Sequence, residues 1–208
     1  MKLILDFDDV IFDTKSFKTK VFSGLVSSGI SAENVESIYQ TQRSSFNIAT
    51  LYKEVIRFAG IAMSQEELEK KIGVVLQDLH NYVDERLIQM INNIGKENCY
   101  ILTAGEGEFQ KQKLLYSGIL SLIPNEQIII VGSDKKESLR LVCSLYPNEP
   151  IIFADDKEIN IQDAQSLGIL NLFAVQYDER GFEKLSEAVS SYSEQGREVR
   201  LPPSLPMR

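Results

Sequence analysis

Five short apolar runs punctuate the chain: Leu3-Ile4-Leu5, Tyr100-Ile101-Leu102, Ile128-Ile129-Ile130-Val131, Ile151-Ile152-Phe153 and Leu172-Phe173-Ala174-Val175. Each is too short for a helix, is rich in β-branched or aromatic residues and lacks polar alternation. A strand buried on both faces reads this way, which predicts a parallel sheet with helices packed on each side. Helical patterns separate the last four runs. One begins near Glu106, and another opens at Asp134-Lys135-Lys136-Glu137, where an Asp cap and a Glu three residues later resemble a capping box. A third starts around Lys157 and stops near Gly168. Between the first run and the second there is no strand signal. Ser64-Gln65-Glu66-Glu67 is a good capping box there, leading into Leu68, Ile72, Val75, Leu76 and Leu79 at helical spacing. Residues 16–28, 33–43, 46–59 and 84–94 also read as helices. The expected fold class is therefore α/β, a Rossmann-like doubly wound parallel sheet with a helical block inserted directly after its first strand. From Gly196 the chain holds Pro202, Pro203 and Pro206 with Arg197, Arg200 and Arg208, and residues 196–208 are expected to be an irregular tail.

Composition narrows the function classes. A chain of 208 residues corresponds to one domain, or one domain with a substantial insertion, at about 150 residues per domain. It can bury a core without disulfides or structural metal. Thirty acidic against twenty-two basic side chains give −8, a poor balance for binding nucleic acid or an anionic membrane, both of which call for clustered Lys and Arg. No apolar stretch approaches the roughly 18 residues of a membrane span. The N-terminal MKLILDFDD turns acidic at Asp6, so neither a signal peptide nor an anchor is expected. Cys99 and Cys143 sit among apolar neighbours and read as buried thiols in a reducing compartment. A soluble, cytoplasmic protein, monomer or homodimer, is the expectation.

Ligands of open parallel sheets bind in the crevice beyond the carboxyl ends of the strands. Here the first strand ends in Asp6-Phe7-Asp8-Asp9, the second in Thr103-Ala104-Gly105, and the fourth runs through Ala154 into Asp155-Asp156. The third is followed by Gly132-Ser133-Asp134-Lys135-Lys136. If Asp6, Asp8, Asp155 and Asp156 converge, four negative charges meet in one cleft. Two carboxylates at about 4 Å repel by roughly 4 kcal/mol at an effective dielectric of about 20. A lysine offsets one charge and a divalent cation two more. Oxygen-only ligands suit Mg²⁺. Zinc has no His or Cys cluster to use, since His80 is the one histidine.

These strand ends, in this order, resemble the haloacid dehalogenase superfamily of aspartate-nucleophile phosphatases. Leu3-Ile-Leu-Asp6-Phe-Asp8 matches its Asp-x-Asp motif, and Ile101-Leu102-Thr103 its strand-ending Thr or Ser. Lys135, or alternatively Lys136, matches its helix-start lysine. Ile151-Ile-Phe-Ala-Asp155-Asp156 matches its acidic pair, with Asn160 where many members carry a further acid or amide. The resemblance spans residues 1 to about 175. It implies a core of residues 1–14 and 96–195 with a helical cap domain at 15–95. It implies Asp6 as nucleophile, forming an aspartyl-phosphate, and Asp8 as the acid and base that serves the leaving oxygen and then water. It implies Thr103 and Lys135 on the phosphoryl group, with the Ala104-Gly105 turn binding substrate beside them. Mg²⁺ would be held by the Asp6 carboxylate, the Asp8 carbonyl and Asp156, with Asp155 a ligand or an orienting neighbour. Asp8 favours a phosphatase over a dehalogenase, because a halide leaving group needs no proton. A lid between the first two motifs implies a small phosphorylated metabolite as substrate, handled by a phosphatase; a phosphotransferase or phosphomutase, or a non-catalytic ligand-binding protein of the same fold, are the alternatives. Asp9 departs from the resemblance, standing where many of these phosphatases have glycine to ease the turn.

Other features read more plainly. Lys15, Lys18, Lys20, Arg43, Lys53 and Arg57 offer contacts to an anionic substrate, but each alone reads as part of a solvated helix face. Gly105-Glu106-Gly107 hints at a dinucleotide loop, yet Gln110 occupies the third glycine position and two glutamates would face the pyrophosphate. His80 and both cysteines read as structural.

Overall fold

The computed structural model describes residues 1–42 and 46–198. Among them, β1 (Lys2–Leu5), β2 (Cys99–Ala104), β3 (Ile128–Val131), β4 (Ile151–Asp155) and β5 (Leu172–Gln176) form one sheet in the order β3-β2-β1-β4-β5, with every neighbouring pair parallel. Among the described residues, five α-helices lie between β1 and β2: α1 (Thr14–Ser27), α2 (Ala32–Gln42), α3 (Ile48–Phe58), α4 (Gln65–Gln77) and α5 (Glu85–Ile94). After β2 come α6 (Gly107–Tyr116) and the short α7 (Ile119–Leu122), then α8 (Lys136–Leu145) before β4 and α9 (Glu158–Ser166) before β5. A last helix, α10 (Gly181–Glu198), closes the described chain.

The unalternated apolar runs are explained by two covered faces. Leu3 and Leu5 join a buried cluster with Phe109 and Leu114 of α6 and Leu185 of α10, which continues into Phe17, Leu51 and Leu79 of the helical insert. Ile4 points the other way, packing with Leu139 and Val142 of α8 and Ile161 and Ala164 of α9. The period-two alternation is thus present in space but carries no polar signal, because both sides are dry.

Strand order also locates the crevice. From β1 the chain steps to β2 and β3 on one side, then crosses to β4 and β5 on the other. The carboxyl ends of β1 and β4 therefore flank the topological switch point, where such sheets bind ligands. Leu5 pairs with Ala154, and the Asp6 amide donates to the Ala154 carbonyl at 2.9 Å, so the two acidic strand ends emerge side by side.

The segments that enter and leave the insert pair with each other. The Asp13 amide donates to Tyr82 O and the Asp84 amide to Ile11 O, both at 2.8 Å, with Phe12 bridged to Val83. Phe12 is fully buried and stacks on Phe7 at 5.2 Å between centroids, which fixes the turn after β1. Asp9 lies in that turn with φ +57°, the one non-glycine residue with positive φ among those described. Asp is among the few side chains that tolerate this region, so the glycine expected there is replaceable without a change of turn.

Most expected helices lie within a few residues of their places, and the Ser64–Glu67 capping box forms. Three differences stand out. Asp134 does not cap α8: its carboxylate accepts from the Lys136 amide at 2.8 Å, the helix begins at Lys136 and Lys135 occupies the cap position, which frees the lysine to turn inward. The helix α10 was not anticipated, although Phe182, Leu185, Ala188, Val189 and Tyr192 have helical spacing. It takes in residues 196–198 of the expected tail; residues 199–208, like Arg43, lie outside the described residues. No helix among the described residues is long and apolar enough to cross a membrane.

Because Asp9 holds a left-handed conformation, Asp9→Gly is expected to raise the unfolding midpoint slightly, by no more than about 2–4 °C. Asp9→Val, β-branched at the same φ, is expected to lower it by more than that range. Thermal unfolding of the two variants beside the parent checks both signs.

Candidate active site

At the switch point a lysine lies between two carboxylates. Lys135 Nζ is 2.7 Å from Asp6 Oδ2 and 2.7 Å from Asp155 Oδ2, and all three side chains are buried. The remaining oxygens are also engaged: Asp6 Oδ1 accepts from the Phe7 amide at 2.7 Å, and Asp155 Oδ1 accepts from the Lys157 amide and the Asn160 side chain, each at 2.9 Å. Lys136, the alternative motif lysine, points away to Asp163 at 3.8 Å. Burial pushes the Asp6 carboxyl up to about 7 against the opposing charge of Lys135, with Asp155 adding to the rise.

Asp156 completes an acidic group, since Asp6, Asp155 and Asp156 offer oxygens all within 4.8 Å of one another. Burial, then the charge of Asp155, raises the Asp156 carboxyl as well. Its Oδ1 is buried with no hydrogen-bond partner. Such an acceptor is costly to leave bare.

Asp8 stands apart from this group. Its Oδ1 accepts from Thr14 Oγ1 at 2.7 Å and pairs with Lys113, and its Oδ2 accepts from Gln110 Nε2 at 2.7 Å. Burial alone would raise this carboxyl, but the Lys113 charge and these hydrogen bonds outweigh it and hold Asp8 below the usual carboxylate range. The Gln110 amide nitrogen also donates to Ala104 O at 2.9 Å and lies 3.3 Å from Thr103 Oγ1. A Cβ at position 105 would lie 2.6 Å from Gln110 Nε2, so Gly105 supplies the room this amide needs. Gln110 and Lys113 were missed as functional candidates. In the sequence Gln110 reads only as a failed dinucleotide glycine, and a lysine in the last turn of a helix carries no signal of burial.

Asp8, Asp156, Gln110, Lys113 and the Ala104-Gly105 turn line a cavity of about 250 Å³, roofed by Tyr39 and Phe46 of the insert. Phe46 meets Phe109 edge to face at 5.3 Å, and Asn47 Nδ2 donates to Glu106 Oε2 at 3.2 Å. A larger cavity of about 520 Å³ opens beside the paired segments, lined by Asp9, Asp13, Lys15 and Asp84. Asp6, Thr103, Lys135 and Asp155 are buried behind both walls; the smaller cavity, which carries Asp8, Asp156 and the Ala104-Gly105 turn, is the candidate cleft. Among the described residues, the basic side chains of the insert do not line that cleft. Lys18 pairs with Glu36 and lies over the Tyr39 ring, Arg57 pairs with Glu54, Lys20 and Lys53 are exposed, and Lys15 belongs to the larger cavity.

No family model matches this sequence, and no curated protein does. Solved structures do match. A haloacid dehalogenase-like hydrolase of Burkholderia xenovorans superposes with a TM-score of 0.68 at 15% identity, covering 92% of this chain and 96% of that one. The chain has the haloacid dehalogenase-like fold. A Bacillus subtilis HAD hydrolase bound to magnesium gives 0.56 at 18% identity, over 90% and 97% of the two chains. A dehalogenase in an intermediate complex gives 0.54 at 13% identity, over 86% and 85%. At these identities the likeness speaks for the fold, and activity has to be argued from side chains.

In this haloacid dehalogenase-like fold the donor set fits a hard divalent cation. It is all oxygen, it includes a buried acceptor without a partner, and three ionised carboxylates against one ammonium leave two negative charges, which such an ion neutralises. Asp8 contributes no carboxylate to this group, because its side chain is held by Lys113, Thr14 and Gln110.

The folded value of Asp6, about 7, lies above its ordinary 3.8. Its share of stability in metal-free protein is therefore full below about pH 4 and is lost as pH rises through about 7. The ionised form is the one a cation binds, so Mg²⁺ is expected to raise the unfolding midpoint more at about pH 8 than at about pH 5. Thermal unfolding with Mg²⁺ or EDTA at both values checks this; equal shifts would contradict the site.

Proposed function

We propose that this chain is a Mg²⁺-dependent phosphatase of the haloacid dehalogenase superfamily, hydrolysing a small phosphomonoester through an aspartyl-phosphate on Asp6. The observation that carries the reading is Asp8: a second carboxylate, two residues beyond the Asp6 strand end, that lines the cleft beside Asp156 and is held separately from the acidic group. Displacement of halide has no use for such a group. Displacement of an alkoxide does, and acid–base help of this kind is worth about 10²–10⁴-fold.

The residues divide the work as follows. An Asp6 oxygen attacks phosphorus, and the bond to the ester oxygen breaks as that oxygen takes a proton from Asp8. Water then gives a proton to Asp8 while its oxygen attacks phosphorus, and Asp6 leaves as a carboxylate. Asp8 begins ionised, so the first proton has to be delivered; a phosphomonoester, with its second ionisation near about 6, carries one into the cleft. Thr103, at the end of β2, and Lys135 supply donors for the phosphoryl oxygens, and the Ala104-Gly105 turn forms the adjoining wall. Asp6, Asp155 and Asp156, with the Asp8 carbonyl, would hold Mg²⁺, which supplies charge stabilisation of the phosphoryl oxygens when bound.

The cavity volume favours a small leaving group, since about 250 Å³ lies below the common range of roughly 300–1,000 Å³ for ligand pockets. A phosphorylated metabolite fits this cleft better than a phosphoprotein segment would. Two free, buried cysteines support a reducing, cytoplasmic setting.

Phosphate release from a panel of small phosphomonoesters, with Mg²⁺ and with EDTA, tests the reading. Mg²⁺-dependent release is expected, and Asp6→Asn is expected to abolish it; turnover surviving in that variant would remove the nucleophile. Product isomers in place of free phosphate would turn the assignment to a phosphomutase.

A further inference from the structure

Three side chains hold Asp8, and two of them come from α6. Lys113 and Thr14 both reach Oδ1, and Gln110 reaches Oδ2 at 2.7 Å. A carboxylate oxygen offers two lone-pair sites. Oδ1 is therefore filled, while Oδ2 keeps one site open.

Lys113 is an expensive way to fill it. The residue is 4% exposed, and its Nζ lies 5.5, 5.8 and 5.3 Å from the ring centroids of Phe7, Phe12 and Phe109. A buried ammonium is costly unless paired, and an apolar pair of similar volume often serves a fold as well. Gln110 is equally committed, spanning Thr103, Ala104 and Asp8 from a position that only a glycine at 105 leaves open.

We propose that Lys113 and Gln110 are positioning residues for Asp8: Lys113 with Thr14 closes Oδ1, and Gln110 steadies Oδ2 through a single hydrogen bond, leaving Oδ2 as the one oxygen that carries the proton during phosphoryl transfer. The inference rests on the phosphatase reading. The proton leaves Oδ2 for the ester oxygen as the P–O bond breaks, and Oδ2 takes one back from water as the aspartyl-phosphate is hydrolysed. Atoms and charge balance over the cycle, with water as the only other reactant.

The test compares an alkyl phosphate with p-nitrophenyl phosphate, whose leaving group needs no proton. For Lys113→Met, kcat/KM on the alkyl ester is expected to fall about a hundredfold, and on the aryl ester by less than about tenfold. Hydrolysis of the aspartyl-phosphate still needs Asp8, so the aryl ester should show a burst of nitrophenolate with a lowered kcat and a lowered KM. In an Asp8→Asn background, Lys113→Met should add no further loss. Equal losses on both esters without a burst, or an added loss in that background, would overturn the role while leaving the phosphatase standing. Parent protein inert towards both esters would remove the phosphatase reading and the role with it. Should Lys113→Met not fold, Gln110→Met carries the same comparison, with a selective loss of about tenfold expected and equal losses again overturning the role.

Discussion

The site depends on one buried ammonium shared between two carboxylates. Asp6 and Asp155 end adjacent parallel strands, and with both ionised and unpaired the two strand ends would repel each other in a dry cleft. Lys135 makes the pairing tolerable, and it reaches the site because α8 starts one residue later than a capping aspartate would have placed it. The sheet order brings the acids together, and the lysine pays for their company. Removing it would leave like charges facing each other at the centre of the sheet, where little water can screen them.

Two carboxylates only two residues apart are driven in opposite directions. Burial raises Asp6, while the Lys113 charge and three hydrogen bonds hold Asp8 down despite its burial. Environments that separate neighbouring acids are how one cleft assigns them different tasks. Here the separation comes from different elements: the cap of α8 supplies the lysine at Asp6, and α6 with α1 supplies the donors at Asp8. The sheet fixes the nucleophile, and the helices dress its neighbour.

The parts of this arrangement legible in the sequence are those written in contiguous residues. Apolar runs announced the strands, the acids after them announced the cleft, and Ser64–Glu67 announced a helix start that forms as a capping box. The choice between Lys135 and Lys136 was not legible, because it turns on which residue occupies the helix cap. Nor was the role of α6. Its inward stripe is Phe109, Gln110, Lys113 and Leu114, half polar, so the helix shows no apolar face to betray what it buries. The positive φ at Asp9 was legible only as a departure from glycine, and the structure shows a left-handed residue there.

The contact between the insert and α6 has a peculiar construction. Asn47 and Glu106 are each the N-cap of their own helix: Asn47 Oδ1 accepts from the Ala49 amide at 2.9 Å, and the Glu106 carboxylate accepts from the amides of Glu108 and Phe109. Only the spare Asn47 amide group reaches across. Among the described residues, the Phe46–Phe109 ring contact and this hydrogen bond are together worth on the order of 1–3 kcal/mol, and both helices are capped without them. The roof of the cleft meets its floor along a dry-stone joint: each block is finished on its own, and neither helix end depends on the other for its shape.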